Sequence, residues 1–203
     1  MWICGIDETG RGSLAGPLCV VAFCSKNIPS IQTKDSKKLS PQKRYHLFEQ
    51  IISHCLTNKQ ENVIAIKLID NVTIDKINIL NANLLGFKMV IQHVEKKIKQ
   101  KPDIIYIDGN RKPKDMEDYN IQTIVKADSF IRVVQIASII AKVIRDRLME
   151  KISKKYPLYG FEINRGYYDK RHEESIRKFG PCPIHRKTFI KHFLQQKLID
   201  YGK

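Results

Sequence analysis

The chain has 203 residues, 42% of them hydrophobic, and its 36 Lys plus Arg against 21 Asp plus Glu give a net charge of +15. This suits one sizeable domain, or a main domain with a small appendage, and excludes a peptide-sized scaffold. The positive balance points to a polyanion, because neutralising phosphates releases their condensed counterions, although Lys also serves solubility.

Ile3 to Asp7 and Leu18 to Cys24 read as strands on either side of a Gly-rich turn, Thr9 to Gly16. The longest apolar run, Leu14 to Cys24, is interrupted by Gly16 and Pro17 and is too short to span a bilayer. Met1-Trp2-Ile3-Cys4 lacks the basic start of a secretory signal, so a cytoplasmic protein with no membrane partner is expected. Five cysteines with no C-x-x-C pair fit buried free thiols rather than a disulfide framework or zinc site. Ser40-Pro41 opens a helix carrying Leu47, Ile51, Ile52 and Cys55 at helical spacing, and Val63 to Leu68 forms the next strand. A long helix is expected from about Thr73 to Ile98, followed by strands Ile104 to Asp108 and Ile121 to Val125 around the basic loop Arg111 to Lys114. Ile131 to Lys155 is helical again, and two shorter helices, about Lys170 to Phe179 and His185 to Leu198, follow. Strands alternating with helices give an α/β sheet. The organisation expected is a core over 1–155 and a basic C-terminal helical region over 156–203, or one continuous domain. From Lys142 onward 16 basic residues meet 7 acidic ones, which makes the C-terminal third the expected electrostatic footprint.

Carboxylates carry the chemistry. Asp7 and Asp108 each stand where an apolar strand stops, and an ionised carboxylate near a core must be paired or hold a metal. Two neighbouring strands ending so would bring the two together. Glu8 joins them only if the chain is already turning there, because adjacent strand residues face opposite sides. Asp128 lies at a strand-to-helix junction. Such a cluster repels itself unless cations sit in it, and all-oxygen coordination selects Mg²⁺ or Mn²⁺. Taken singly, each acid is also explained as a cap or surface charge. Asp146, between Arg145 and Arg147 within a helix, rivals Asp128, but a local ion pair accounts for it.

Asp7-Glu8-Thr9-Gly10-Arg11-Gly12 resembles the D-E-x-G-R-G signature that opens ribonuclease HII proteins. Six further blocks follow in the family's order: Asp35-Ser36-Lys37-Lys38-Leu39; Ile107-Asp108-Gly109; Lys126-Ala127-Asp128; Ala137-Ser138-Ile139-Ile140-Ala141-Lys142 with Arg145-Asp146; Tyr159-Gly160-Phe161 through Arg165-Gly166-Tyr167; and Gly180-Pro181-Cys182-Pro183-Ile184-His185-Arg186. The resemblance implies a ribonuclease H-like mixed sheet flanked by helices, with a small C-terminal helical region. It implies Asp7, Glu8, Asp108 and Asp128 as catalytic, metal-binding acids, with two Mg²⁺ or Mn²⁺ ions once substrate is bound. It further implies hydrolysis 5′ to a ribonucleotide, in RNA/DNA hybrids or in duplex DNA with single ribonucleotides, leaving 5′-phosphate and 3′-hydroxyl ends. Gly10, Arg11 and Gly12 would read the 2′-hydroxyl with their backbone, with Tyr167 pressing on the neighbouring sugar. Without the resemblance, Tyr167 is an ordinary core or surface aromatic.

Lys37 is assigned to phosphate contact, and Lys38, Arg145, Arg165 and Lys187 are further candidates, although single cations are usually solvated. His172 and His185, with no acid or thiol at ligand spacing, read as hydrogen-bonded or surface histidines. Thr9, Arg132 and Tyr168-Asp169 depart from the family pattern, and Asp169 adds negative charge beside the expected DNA path. A junction-resolvase type of nuclease on the same fold is the alternative enzyme, and a non-catalytic nucleic-acid-binding domain is the alternative without chemistry. Gln195, Leu198 and Tyr201 are similar to sliding-clamp-binding tails but lack the second aromatic, and an amphipathic helix end explains them too. A monomer is expected by default.

Overall fold

A computed structural model describes residues 1–31 and 39–200, with side chains described through residue 194. Among the described residues five segments are strands: β1 (Ile3–Thr9), β2 (Leu18–Ser25), β3 (Asn62–Ile69), β4 (Ile104–Asp108) and β5 (Ile121–Ile124). They form one mixed sheet in the order β3-β2-β1-β4-β5, with β1 antiparallel to β2 and parallel to β4, and β4 parallel to β5. All eight residues of β2 are buried, which is why its sequence is continuously apolar instead of alternating.

The helices are α1 (Pro41–Thr57), α2 (Asn71–Ile98), α3 (Arg132–Lys155), α4 (Phe161–Asn164), α5 (Lys170–Phe179) and α6 (Lys187–Asp200). Ser40 caps α1 through Oγ, which accepts from the Lys43 N–H at 3.3 Å, and Pro41 takes the first helical position. α2 is not the continuous helix its apolar spacing predicts. Asn78 breaks it with φ 62° and ψ 165°, and the Asn78 Oδ1 accepts from the Asn81 N–H at 3.0 Å, capping the segment that follows. α6 begins at Lys187 and not at His185, because His185 pairs in extended conformation with Ala15.

Two compact units divide the chain. The first takes Met1–Thr9, Cys19–Leu68 and Asn83–Ile144, and so holds the sheet. Its core packs Cys19, Val21 and Phe23 of β2 and Ile51 of α1 against Val133, Val134, Ala137 and Ile140 of α3. Gly5 in β1 sets how closely that helix approaches: a Cβ there would lie 2.3 Å from the Val133 carbonyl carbon. The second unit takes Gly10–Leu18, Ile69–Ala82 and Arg145–Lys203. Its core gathers Leu14, Ala15, Met149, Tyr159, Phe161, Ile176, Ile190 and Phe193. Among the described residues no helix is long and apolar enough to cross a membrane.

Gly5→Ala, two residues before Asp7, forces a methyl group against the backbone of Val133 and Val134. The expected cost is about 3 kcal/mol, seen in a thermal melt as a loss of roughly 6–12 °C. A melting temperature within a couple of degrees of the parent would show that α3 does not hold its distance through Gly5.

Candidate active site

The sheet register brings the acids together. β1 and β4 run parallel with Ile6 opposite Ile107, so Asp7 and Asp108 follow at the same level on adjacent strands. β5 leads to Lys126, held in the left-handed region at φ 61°, and then to a single 3₁₀ turn, Ala127–Ser129. The Ala127 N–H donates to Asp108 Oδ1 at 2.9 Å, so Asp108 itself fixes the turn that carries Asp128. One carboxylate oxygen from each of Asp7, Asp108 and Asp128 lies within 4.8 Å of the others. Asp7 and Asp128 are each 3% exposed.

Such an arrangement is electrostatically expensive. Burial, then the charges of Glu8 and Asp108, push the Asp7 carboxyl well above the usual carboxylate range, against hydrogen bonds from the Ser138 side chain and the Glu8 N–H, the latter at 2.7 Å. Three oxygen donors converging under mutual repulsion fit a hard divalent cation, and nitrogen and sulfur ligands are absent from the group. Glu8 is not in that group. β1 stays paired with β2 through Thr9 opposite Cys19, so the turn that would have swung Glu8 beside Asp7 begins only at Gly10. Its charge is nevertheless felt at Asp7.

The turn that follows belongs to the second unit and rests on buried arginines. Gly10 has φ 94°, and a Cβ on it would lie 2.2 Å from Arg145 Nε. The Gly10 N–H donates to the Tyr167 Oη at 3.1 Å, and the Ser13 hydroxyl donates to the Gly10 carbonyl at 2.9 Å. Arg145, fully buried, lies over the Tyr167 ring at 5.1 Å and donates to the carbonyls of Pro17, Arg165 and Ala15 and to the Ser13 hydroxyl. Arg186, also fully buried, donates to the carbonyls of Arg11 at 2.8 Å and Gly16 at 3.0 Å. Burial, then Arg145, push Arg186 down to about 9, which leaves it charged at neutral pH. Arg11 and Gly12 are exposed, and a Cβ on Gly12 would meet nothing within 4 Å.

Sequence reasoning offered Arg145 as a phosphate contact, but its guanidinium is an internal brace. The signal it missed was the neighbourhood of carbonyl-rich turns, which spacing does not reveal. Ser138, inside the quoted A-S-I block, was given no role, and Arg186 likewise. Asp169 caps α5, accepting from the His172 N–H at 2.6 Å, so its negative charge serves a helix start. His172 and His185 are buried with their Nε2 atoms 2.9 Å apart. Lys37 and Lys38, like the side chains of Gln195, Leu198 and Tyr201, lie outside what the structure describes.

The chain matches the family model described as Ribonuclease HII over residues 4–194. It is 43% identical over 194 residues to a protein named Ribonuclease HII from Caldicellulosiruptor bescii, covering 95% of this chain and 88% of that one. The crystal structure of the ribonuclease H2 from Pyrococcus horikoshii superposes with a TM-score of 0.73 at 29% identity, covering 98% and 99% of the two chains. The structure of the PCNA:RNase HII complex from Archaeoglobus fulgidus gives 0.69 at 25% identity, with the same coverage.

Two outcomes follow from these geometries. In chelator, Asp7→Asn is expected to melt several degrees above the parent, since it relieves burial and repulsion, and to gain less than the parent when a divalent cation is added; a lower melt in chelator would mean the Ser138 and Glu8 hydrogen bonds outweigh the repulsion. Burial, then His172, push His185 down to about 4, and burial also lowers His172, with Asp169 acting in the opposite sense on the latter. Between pH 6.5 and 4 the unfolded chain therefore binds a proton at His185 that the folded one refuses, so stability falls with falling pH by up to about 1.4 kcal/mol per pH unit on its account, and His172 acts in the same direction. His185→Gln should flatten that slope in denaturant melts, and an unchanged slope would locate the acid sensitivity elsewhere.

Proposed function

The chain belongs to the ribonuclease HII family, and from that membership we propose that it incises the phosphodiester 5′ to a ribonucleotide, in RNA/DNA hybrids or in duplex DNA holding single ribonucleotides, leaving 5′-phosphate and 3′-hydroxyl ends. The coarser activity is that of the family: a hydrolase and endonuclease of the ribonuclease H type. The observation that carries the reading is the convergence of Asp7, Asp108 and Asp128 in a chain whose net charge is +15. Acids concentrated at one point of a polycation suit cations bound beside a phosphate.

In this reading Asp7, Glu8, Asp108 and Asp128 are the acids that would hold Mg²⁺ or Mn²⁺, with two ions present when substrate is bound. The bound cations supply a polarised water for in-line attack and stabilise charge on the leaving 3′ oxygen. The protein's own contribution is placement. Ser138 and the Glu8 N–H orient Asp7, while Asp108 holds both its own position and the Ala127–Ser129 turn. No covalent protein nucleophile is required.

Ribose selection is assigned to Gly10, Arg11 and Gly12 with Tyr167. Gly10 is demanded by its own backbone and by Arg145, but neither packing nor φ demands glycine at residue 12. A backbone that must admit a sugar explains Gly12, and the 2′-hydroxyl, both donor and acceptor, is the group such a backbone can read. Lys37 is assigned to phosphate contact. The Archaeoglobus complex supports extending the reading to a sliding clamp met by the tail with Gln195, Leu198 and Tyr201. The five free cysteines suit a reducing cytoplasm, where the protein would act as a monomer.

The test uses end-labelled duplexes with no ribonucleotide, one, or an all-RNA strand, each with Mg²⁺, Mn²⁺ or chelator, and with or without a clamp. Metal-dependent incision 5′ to the ribonucleotide is expected, abolished in Asp108→Asn and reduced about 10-fold or more in Gly12→Ala without loss of stability. Equal cutting of all duplexes would promote the resolvase type of nuclease, and binding without cutting would promote the non-catalytic domain.

A further inference from the structure

We propose that His172 and His185 are positioning residues for ribonucleotide selection: they form a hydrogen-bond relay of fixed tautomer, from the Cys182 amide to the Tyr167 carbonyl, that holds the Tyr167 ring in its reading position. The proposal rests on the assignment of Tyr167 to ribose selection.

The proton positions follow from the Tyr167 end of the relay. At the other end His185 Nδ1 has both the Cys182 N–H at 2.9 Å and the Cys182 carbonyl at 3.2 Å beside it, so that end alone admits either tautomer. The Tyr167 carbonyl, which can only accept, is 2.8 Å from His172 Nδ1. His172 therefore carries its proton on Nδ1 and His185 on Nε2, and the Nε2 pair, 2.9 Å apart, is matched as donor and acceptor. With that assignment His185 Nδ1 accepts from the Cys182 N–H. Burial disfavours a further proton on either ring, and one on His172 Nε2 would set two donors face to face. They are enclosed by aromatic rings, with Tyr159 4.9 Å from His185 and Phe161 5.2 Å from His172, centroid to centroid.

The relay joins the two halves of the proposed ribose reader within one compact unit. His185 pairs with Ala15, the Arg186 N–H donates to the Leu14 carbonyl at 2.8 Å, and the Arg186 side chain holds the Arg11 carbonyl. That strand segment thus carries the Gly10-Arg11-Gly12 turn. Through His185 and His172 the same segment holds Tyr167, whose N–H is fixed by the Asn164 carbonyl and whose ring and hydroxyl meet Arg145 and Gly10. An apolar pair would fill the same space without the desolvation cost of two imidazoles. What the imidazoles add is a directed donor on the Tyr167 carbonyl.

Two substitutions separate donor from bulk. His172→Asn places an amide nitrogen where Nδ1 stood, while His172→Phe keeps the ring and removes the donor. On the single-ribonucleotide duplex, His172→Phe is expected to lower kcat/KM about 10-fold relative to the all-RNA-strand hybrid. The loss should lie mainly in KM, with His172→Asn within about 2-fold of the parent. An unchanged ratio in His172→Phe, an equal fall on both substrates at matched melting temperature, or a fall in His172→Asn equal to that in His172→Phe would each overturn the proposal. Should His172→Phe not fold, nitrogen-15 spectra of the parent decide: His172 protonated on Nδ1 and His185 on Nε2, with the His172 signal shifted by a duplex containing one ribonucleotide and not by all-DNA duplex. The opposite tautomers, or no selective shift, would refute it. A parent, or a Tyr167→Phe control, that shows no preference for ribonucleotide sites would instead defeat the assignment of Tyr167 itself.

Discussion

Like charges do not gather in a protein interior unless the fold compels them, and here the compulsion is the parallel register of β1 and β4. With Ile6 level with Ile107, the chain has no freedom to separate Asp7 from Asp108 without moving a whole strand and its ladder of hydrogen bonds. Gly5 then admits α3 close to β1, and the same helix brings Ser138 to the Asp7 carboxylate. Asp128 is added by local means, a left-handed Lys126 and a 3₁₀ turn tied to Asp108. The repulsion among these carboxylates is borne by the packing of Val133, Val134 and Ala137 against the sheet, and a bound cation would repay it.

The second unit solves a different problem with the opposite charge. Its loops carry carbonyls that no regular helix or strand satisfies, and Arg145 and Arg186 satisfy them. A guanidinium is suited to this because its planar fork serves several acceptors at once. Lysine, a point donor on a flexible stem, could not join Pro17, Ala15 and Arg165 from one position.

How much of this was legible depended on whether a residue acts through its place in a periodic pattern or through its partners. Asp7 and Asp108 were readable because a carboxylate ending an apolar run is conspicuous, and the strands themselves follow from the runs. The turn Gly10-Arg11-Gly12 was visible from its glycines. The end of β1 was less legible: whether the strand stops at residue 7 or at residue 9 depends on pairing with Cys19 and Val20, and no local signal fixes that. The break at Asn78 was hidden because Asn is tolerated in helices, and its capping role exists only once the chain has turned. Arg145, Arg186 and the pairing of His172 with His185 were illegible for the same reason: each rests on contacts made 13 or more residues away.

Burying two arginines has a bearing on how the protein meets its polyanion. A formal charge of +15 counts every cation alike, yet nucleic acid sheds its condensed counterions in response to cations that can reach the phosphates. Arg145 and Arg186 are fully buried, so two units of that formal charge are spent on the inner scaffold. The ionic-strength sensitivity of binding thus measures a smaller, outward-facing population of cations. A chain of the same pI with those arginines on its surface would grip any duplex more tightly, and with less regard for what sugar it contained.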